Sequence, residues 1–384
     1  MGRHSSGTDR TMSILSMILF LLVVLSIYAV GHLYVYKTFV NVWLLSTHGQ
    51  RLLLGVILVL WISPFLIGLA SRVIPGLFSS LLAQIGYMWM GLLFLFITVH
   101  LVLSGLNWVL AHWEIGTTAR VVWIAAAGLS LVGVVWGRID AEIMRVRHYD
   151  VSMPTFDLGQ KIRLVQISDT HFGPTLGVGF AERVIDKIRA ENPDLVVCTG
   201  DFLDPGIAEP EKLMRLWREL QPPLGKYAVL GNHEAYSGVK WSEKMLTDAG
   251  FVVLRNTHAQ PVPGLVIAGV DDPSVSRMEG SSVSEIDLMR SLPRPSSVIL
   301  LKHQPRVESR GLFDLQLSGH THGGQIFPFD RIVSLVFRYL RGRYELPGGG
   351  TLIVSTGTGT WGPPIRLFVP PEIVVIDLVA KKTR

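Results

Sequence analysis

Four apolar runs crowd the first part of the chain: Ile14 to Tyr36, Leu52 to Val73, a stretch within Leu77 to Leu110, and Val121 to Trp136. A helix of about 20 apolar residues spans a hydrocarbon core of about 30 Å. Four such runs, separated only by short polar connections, therefore predict an all-α membrane domain of four transmembrane helices over residues 1–140. Composition agrees, since 49% of the residues are hydrophobic and only 17% charged, too apolar for an ordinary soluble protein. The charged start before Ile14 resembles a secretory leader, but the apolar run is long and Ile27-Tyr28-Ala29-Val30 is a poor cleavage site. The run is read as a retained anchor.

Pro64 falls inside the second run, where neighbouring helices can satisfy the carbonyl it frees. His100 and Asn107 are the polar residues of interest in the third, read as interhelical hydrogen bonds or positions near the interface. Four crossings put both ends on one side. Arg3, Arg10, Arg72, Arg138, Arg145 and Arg147 would share that side against Lys37, Arg51 and Arg120 on the other, which places the C-terminal domain in the cytoplasm of an inner-membrane protein. Trp108, Trp113 and Trp136 near the span ends fit an aromatic belt.

Residues 141–160 read as a juxtamembrane strand or linker, and 161–384 as a domain of ordinary polarity. Within it, strands Ile162 to Ile167, Leu195 to Thr199 and Tyr227 to Leu230 alternate with helices Val178 to Glu191, Glu209 to Leu220 and Trp241 to Ala249. About 30 residues separate successive strands, the repeat of a βαβ unit. Later strands are expected at Phe251 to Leu254, Val266 to Val270, Ser297 to Leu301, Leu315 to Leu317, Thr351 to Ser355 and Ile373 to Ile376. The fold class is α/β, with two packed mixed β-sheets flanked by helices. The lone cysteine, Cys198, sits in an apolar strand and excludes an intrachain disulfide framework. A net charge of +5, with no Lys/Arg run interleaved with aromatics, gives no sign of nucleic-acid binding.

Asp169 and His171 follow the first of these strands, Asp201 the second, Asn232 and His233 the third, His303 the strand ending at Leu301, and His320 and His322 the strand at Leu315. Open α/β sheets bind ligands beyond the carboxyl ends of their strands. If these ends converge, they bring together more nitrogen and oxygen donors than one ion takes. Imidazole and carboxylate without thiolate suit Mn, Fe, Zn or a similar divalent ion, and two such ions suit hydrolysis of a phosphate ester or anhydride.

Asp169-x-His171, Gly200-Asp201-x-x-Asp204, Gly231-Asn232-His233-Glu234, His303 and Gly319-His320-x-His322 resemble the ordered motifs of the calcineurin-like metallophosphoesterases over about Lys161 to Leu378. The segment Gly319 to Gln325, with Gly357-x-Gly359-x-Trp361-Gly362-Pro363-Pro364-x-Arg366, is similar to a membrane-anchored bacterial branch, some members of which cleave UDP-2,3-diacylglucosamine in lipid A synthesis. The resemblance implies a dinuclear centre, Mn²⁺ first among candidates, with Fe, Zn or Mg as alternatives. It implies that Asp169, His171, Asp201 and His322 hold one ion, and that Asp201 bridges to a second held by Asn232, His303 and His320. His233 would protonate the leaving oxygen, and Asp204 would orient its imidazole. Glu234 would stand behind the ligands without binding metal itself.

Departures from the family narrow the substrate. Pro205-Gly206 after Asp204, and Leu230 before Gly231, differ from the pattern of protein serine/threonine phosphatases and disfavour a phosphoprotein. The segment Phe327 to Arg343 is apolar with interspersed arginines; as a helix it would suit either a membrane interface with anionic headgroups or packing on the core. Arg366 is taken as a contact to substrate phosphate, with a surface turn after Pro364 as the alternative. The expected function is a membrane hydrolase of a lipid-linked or nucleotide-linked phosphate, with the bilayer and that substrate as partners. Alternatives are a broad-specificity phosphodiesterase, or a membrane sensor whose domain only binds a ligand.

Overall fold

The computed structural model describes residues 6–156, 161–280 and 283–380. It opens with four long helices, α1 Ser6–Trp43, α2 Thr47–Val73, α3 Leu77–Ala111 and α4 Ala119–Glu142. All four are long and apolar enough to cross a membrane. Pro64 cannot donate to the carbonyl of Leu60. That carbonyl instead accepts from Ser63 Oγ at 2.7 Å and from Tyr28 Oη of α1 at 3.4 Å, so the break in α2 leaves no unmet acceptor. His100 Nδ1 and Tyr34 Oη are 2.7 Å apart, an interhelical hydrogen bond. Asn107 instead closes the turn between α3 and α4, donating to Thr117 O and accepting from Thr117 N.

The chain forms two compact units. One holds the helices up to Leu66 with Ile85–Val134; the other joins Ile67–Gln84, the end of α2 and the start of α3, to everything from Val135 onward. Helix α4 runs on to Glu142, helped by the Arg138–Glu142 pair one turn apart. The strand anticipated from Ala141 accordingly begins only at Arg145.

In the second unit the elements run β1 Arg145–Met153, β2 Lys161–Ile167, α5 Val178–Ala190, β3 Leu195–Cys198, α6 Pro210–Arg218, β4 Lys226–Ala228, α7 Asn232–Ser237, α8 Val239–Asp248 and β5 Val252–Val253. They continue with β6 Thr257–Val262, β7 Leu265–Gly269, α9 Pro273–Glu279, α10 Glu285–Ser291, β8 Ser297–Leu301 and β9 Leu315–Ser318. Last come α11 Phe329–Val336, β10 Gly342–Glu345, β11 Thr351–Val354 and β12 Glu372–Ala380. Two six-stranded mixed sheets result, ordered β1-β12-β2-β3-β4-β5 and β10-β11-β9-β8-β7-β6. In the first, β2 to β5 are parallel and β12 runs against β2. In the second, β11, β9, β8 and β7 are parallel, with antiparallel β10 and β6 at the edges.

Side chains alternate across each strand, and both faces are buried, which is why the strands read as unbroken apolar runs. Leu164, Leu195, Val197, Ile299, Leu301 and Ile376 fill the core shared with the other sheet. Val165, Ile167, Val196, Val184, Ile188 and Trp217 form the layer between the first sheet and its helices. Val266, Leu300, Met289, Leu292 and Tyr339 cover the far side of the second. The helical reading of Phe327 to Arg343 holds only for α11. Tyr339 turns into the core, and Gly342 to Glu345 pair with β11 as a strand.

Candidate metal centre

The parallel strands deliver the polar motifs to one place. Asp169 and His171 leave β2, Asp201 leaves β3, Asn232 opens α7 after β4, His303 follows β8, and His320 and His322 follow β9. The loops are laced to each other through the backbone. Asp169 N donates to Gly200 O, His171 N to Asp201 O, Phe172 N to Phe202 O, and Asp204 N to Phe172 O, at 2.8–3.1 Å. Phe172 and Phe202, the residues after His171 and Asp201, stack edge-on at 5.0 Å over Trp217. The donors are thus fixed to the hydrophobic core from below.

Backbone strain marks the same positions. Asp169, His171, Asp201, His320 and His322 all adopt positive φ, between 47° and 71°. Such φ values are uncommon for residues other than glycine, and they collect at functional sites. Gly200 and Gly231 let the loops close on one another. A Cβ at Gly200 would come within 2.7 Å of Gly231 N and His303 Nδ1, and one at Gly231 would strike the Asp201 carboxylate.

Three groups of donors lie within 4.8 Å of each other: Asp169, His171 and His322; His171, Asp201 and His233; and Asp201, His303 and His320. His171 Nε2 and His322 Nε2 face each other at 3.0 Å, with Asp169 Oδ1 3.5 Å from the latter. On the other side, His303 Nε2 is 3.1 Å from Asn232 Oδ1, 3.1 Å from His320 Nδ1 and 3.2 Å from Asp201 Oδ2. Asp201 belongs to both sides. Imidazole nitrogens and carboxylate oxygens converging this closely fit two divalent cations. All seven residues read as ligands from the sequence are brought together here.

Hydrogen bonds set the ring orientations. His303 Nδ1 must donate to Thr199 O, at 2.8 Å, because a carbonyl only accepts; its Nε2 lone pair then faces the cluster. Burial, followed by the charge of His303, pushes His320 down to about 3. Burial, with Arg366 behind it, likewise lowers His322 far below its ordinary range. Both rings are therefore held neutral, the form that binds metal. Asp204 Oδ1 receives His233 Nδ1 at 2.6 Å and His171 Nδ1 at 3.2 Å. Burial alone would raise Asp204, but the charges and hydrogen bonds of those two rings outweigh it and hold the carboxylate well below its usual range. Burial would lower His233, yet Asp204 and Asp201 raise it to about 9.

Three residues acquire roles that the motifs alone did not reveal. The Glu234 carboxylate is fully buried and accepts from the backbone N–H groups of Asp201, Phe202, Leu203 and Gly231 at 2.7–3.0 Å, clamping the Asp201 loop to the start of α7. Gln325 accepts from Trp361 N and donates to Trp361 O and Pro363 O, each at 2.9 Å. This seats the Trp361 ring 6.3 Å from that of His233. Arg366 corrects the sequence reading. It is fully buried, and its guanidinium donates to the carbonyls of Thr356, Gly357, Gly359 and His322 while lying 3.2 Å from His322 Nδ1. It supports the second histidine from behind and is not placed to touch a substrate.

The profile of calcineurin-like phosphoesterases matches residues 162–324. A metallophosphoesterase of Aquifex aeolicus is 39% identical over 251 residues, 64% of this chain and 96% of that one. The chain belongs to the calcineurin-like metallophosphoesterase family. A metallophosphoesterase of Campylobacter jejuni is 34% identical over 62% of this chain and 64% of its own length. A "transmembrane protein with metallophosphoesterase domain" of Danio rerio is 31% identical over 60% of this chain and 56% of its own length. Members typically bind two divalent metals, in keeping with the donor clusters here, and the chain is a phosphoester hydrolase.

Proposed function

We propose that this metallophosphoesterase works at the cytoplasmic face of the inner membrane on a lipid-linked or nucleotide-linked phosphate, with UDP-2,3-diacylglucosamine as the leading candidate. The observation that carries this reading is an exposed apolar rim on elements bordering the donor cluster. Phe337, just after α11, packs its ring 5.0 Å from His320. Ile332, Leu335 and Val336 of α11 are exposed, Leu335 by 85%, as are Phe327, Trp361 and Phe368. A water-soluble substrate has no use for such a rim, whereas an acyl chain or a membrane surface covers it. The arginines on one side of the apolar helices support the cytoplasmic orientation.

Two divalent ions, Mn²⁺ being the first to test, would be held by Asp169, His171, Asp201 and His322 on one side and by Asp201, Asn232, His303 and His320 on the other. They supply Lewis acidity toward the phosphoryl oxygens. The chain's own residues do the rest. Asp204 fixes the proton of His233 on Nδ1 in the neutral ring, and the raised pKa keeps Nε2 protonated at neutral pH. His233 can therefore hand a proton to the departing oxygen. Trp361 and Tyr236, whose rings lie 6.3 and 5.5 Å from that of His233, flank the place where the leaving group would sit.

The test compares hydrolysis of UDP-2,3-diacylglucosamine with that of methyl p-nitrophenyl phosphate by detergent-purified protein in Mn²⁺. Strong preference for the acylated nucleotide is expected. Equal or greater turnover of the small diester would withdraw the lipid substrate and leave a general phosphodiesterase.

A further inference from the structure

The Pro205-Gly206 pair that sets this sequence apart from the protein phosphatases has a structural partner. Gly206, at φ 90°, rests on the last turn of α2 so closely that a Cβ there would come within 2.6 Å of Ser71 Cβ. Beside this contact runs an open groove of about 460 Å³, lined by Ser71, Arg72, Pro205, Gly206, Ser237 and Trp241 among others. Arg72 is exposed, and no ion pair or hydrogen bond engages its guanidinium among the described residues. The Oγ atoms of Ser71, itself only 5% exposed, and of Ser237 are buried without a hydrogen-bond partner. A buried hydroxyl left unpaired is costly. Two of them beside an unpaired guanidinium leave three groups that can donate without a partner.

The groove adjoins the catalytic loops at both walls. Gly206 is two residues beyond Asp204, at most about 8 Å along the chain. Ser237 is one helical turn beyond His233, about 6 Å along α7. We propose that this groove is a second oxyanion site, which holds a phosphate group of the substrate next to the one being cleaved. Arg72 would supply the charge, and the Ser71 and Ser237 hydroxyls would turn to donate. The substrate class is then an amphiphile with two phosphates, or with one phosphate on each side of a short linker. Arg72 ends a helix apolar enough to cross a membrane, so the site lies where a lipid headgroup would present that second phosphate. The inference rests on the phosphoester-hydrolase reading and deepens it.

The test measures binding rather than turnover. The full chain, loaded with Mn²⁺ in phosphatidylcholine vesicles, is titrated calorimetrically with hexadecylphosphonate and with a methylenebisphosphonate carrying a hexadecyl chain. Wild type, Arg72→Ala and Arg72→Lys are compared. Chelation at the metal centre favours the bisphosphonate in all three, so the preference for it over the monophosphonate is the readout. That preference is expected to fall about ten-fold in Arg72→Ala, as for loss of one charge-assisted contact, and to recover in part in Arg72→Lys. The same preference in wild type and Arg72→Ala overturns the site. Methylenebisphosphonate without the chain separates the sources. An Arg72-dependent gain shared by the tailless ligand supports the site with a soluble diphosphate, and a gain confined to the alkylated ligand supports it with a lipid. Turnover of methyl p-nitrophenyl phosphate, measured separately, reports on the hydrolase reading alone.

Discussion

His233 Nδ1 lies 2.6 Å from Asp204 Oδ1, the shortest contact that either side chain makes around the donor cluster. The carboxylate both fixes the ring and keeps it protonated, so in the proposed reaction the pair would act as one acid. His233→Ala should therefore retain metal, because the ring is not among the proposed ligands, and lose turnover according to leaving group. General acid catalysis is worth about 10²–10⁴-fold. The loss should approach the upper end for an alkoxide leaving group and be small for p-nitrophenolate, which departs unassisted. In wild type, kcat for the alkyl ester should fall above about pH 9, where His233 loses its proton, and that limb should vanish in the variant. Equal losses with both leaving groups would remove His233 from the acid role.

Glu234 makes four hydrogen bonds with one carboxylate, all to backbone N–H groups of two loops that carry the donor cluster. An amide at this position keeps the shape but replaces one acceptor oxygen with a donor facing other donors. Glu234→Gln is expected to lower stability by about 3 kcal/mol and to reduce bound metal well below two ions per chain. Denaturant midpoints and metal content by mass spectrometry check both effects together. Full metal occupancy in the variant would show that the clamp is not needed to shape the Asp201 loop.

Strands buried on both faces announce themselves, and Leu195-Val196-Val197-Cys198 could hardly be anything else in a chain with this spacing. The convergence of the donor side chains was equally legible, because metal chemistry restricts candidate ligands to a few residue types and each follows a strand end. Edge strands were not. Thr257–Val262 and Gly342–Glu345 are half-exposed, and they exist because a neighbour offers them an open sheet edge. Glu234 left a trace in the Gly-x-x-Glu spacing of a helix start, where the third residue reaches back to the cap. Arg366 left none. Its neighbours are carbonyls from two separate stretches, Thr356 to Gly359 and His322, and only tertiary structure distinguishes a buried arginine from a substrate-facing one.

Lys226 ties β4 to the ends of α6 and α8, donating to the carbonyls of Trp217 and Ala249. Burial, with Arg218 adding to it, lowers its pKa from 10.5 to about 8. Between those values the unfolded chain binds more protons than the folded one, so this lysine makes stability rise with pH from about 8 to 10.5 and costs its full penalty below about 8. Lys226→Met should remove the penalty. Relative to the variant, wild type should gain in melting temperature between pH 8 and pH 10. A difference independent of pH would show that the folded lysine keeps its ordinary affinity for protons.

Arg366 offers the sharpest separation between a substrate contact and a support. Its guanidinium reaches four backbone carbonyls with a planar fork that a lysine ammonium cannot reproduce, and the acceptors it would abandon are buried. Arg366→Lys should therefore destabilise the protein by about 2–4 kcal/mol and weaken metal retention at His322, the residue the fork holds in place. A residue that binds substrate phosphate would behave differently, raising KM for anionic substrates while leaving melting temperature and metal content near wild type. Equilibrium dialysis against a chelator, read beside KM for methyl p-nitrophenyl phosphate, separates the two cases. Early metal loss with KM little changed at saturating Mn²⁺ is the expected result. The opposite pattern would return Arg366 to the substrate side of the site.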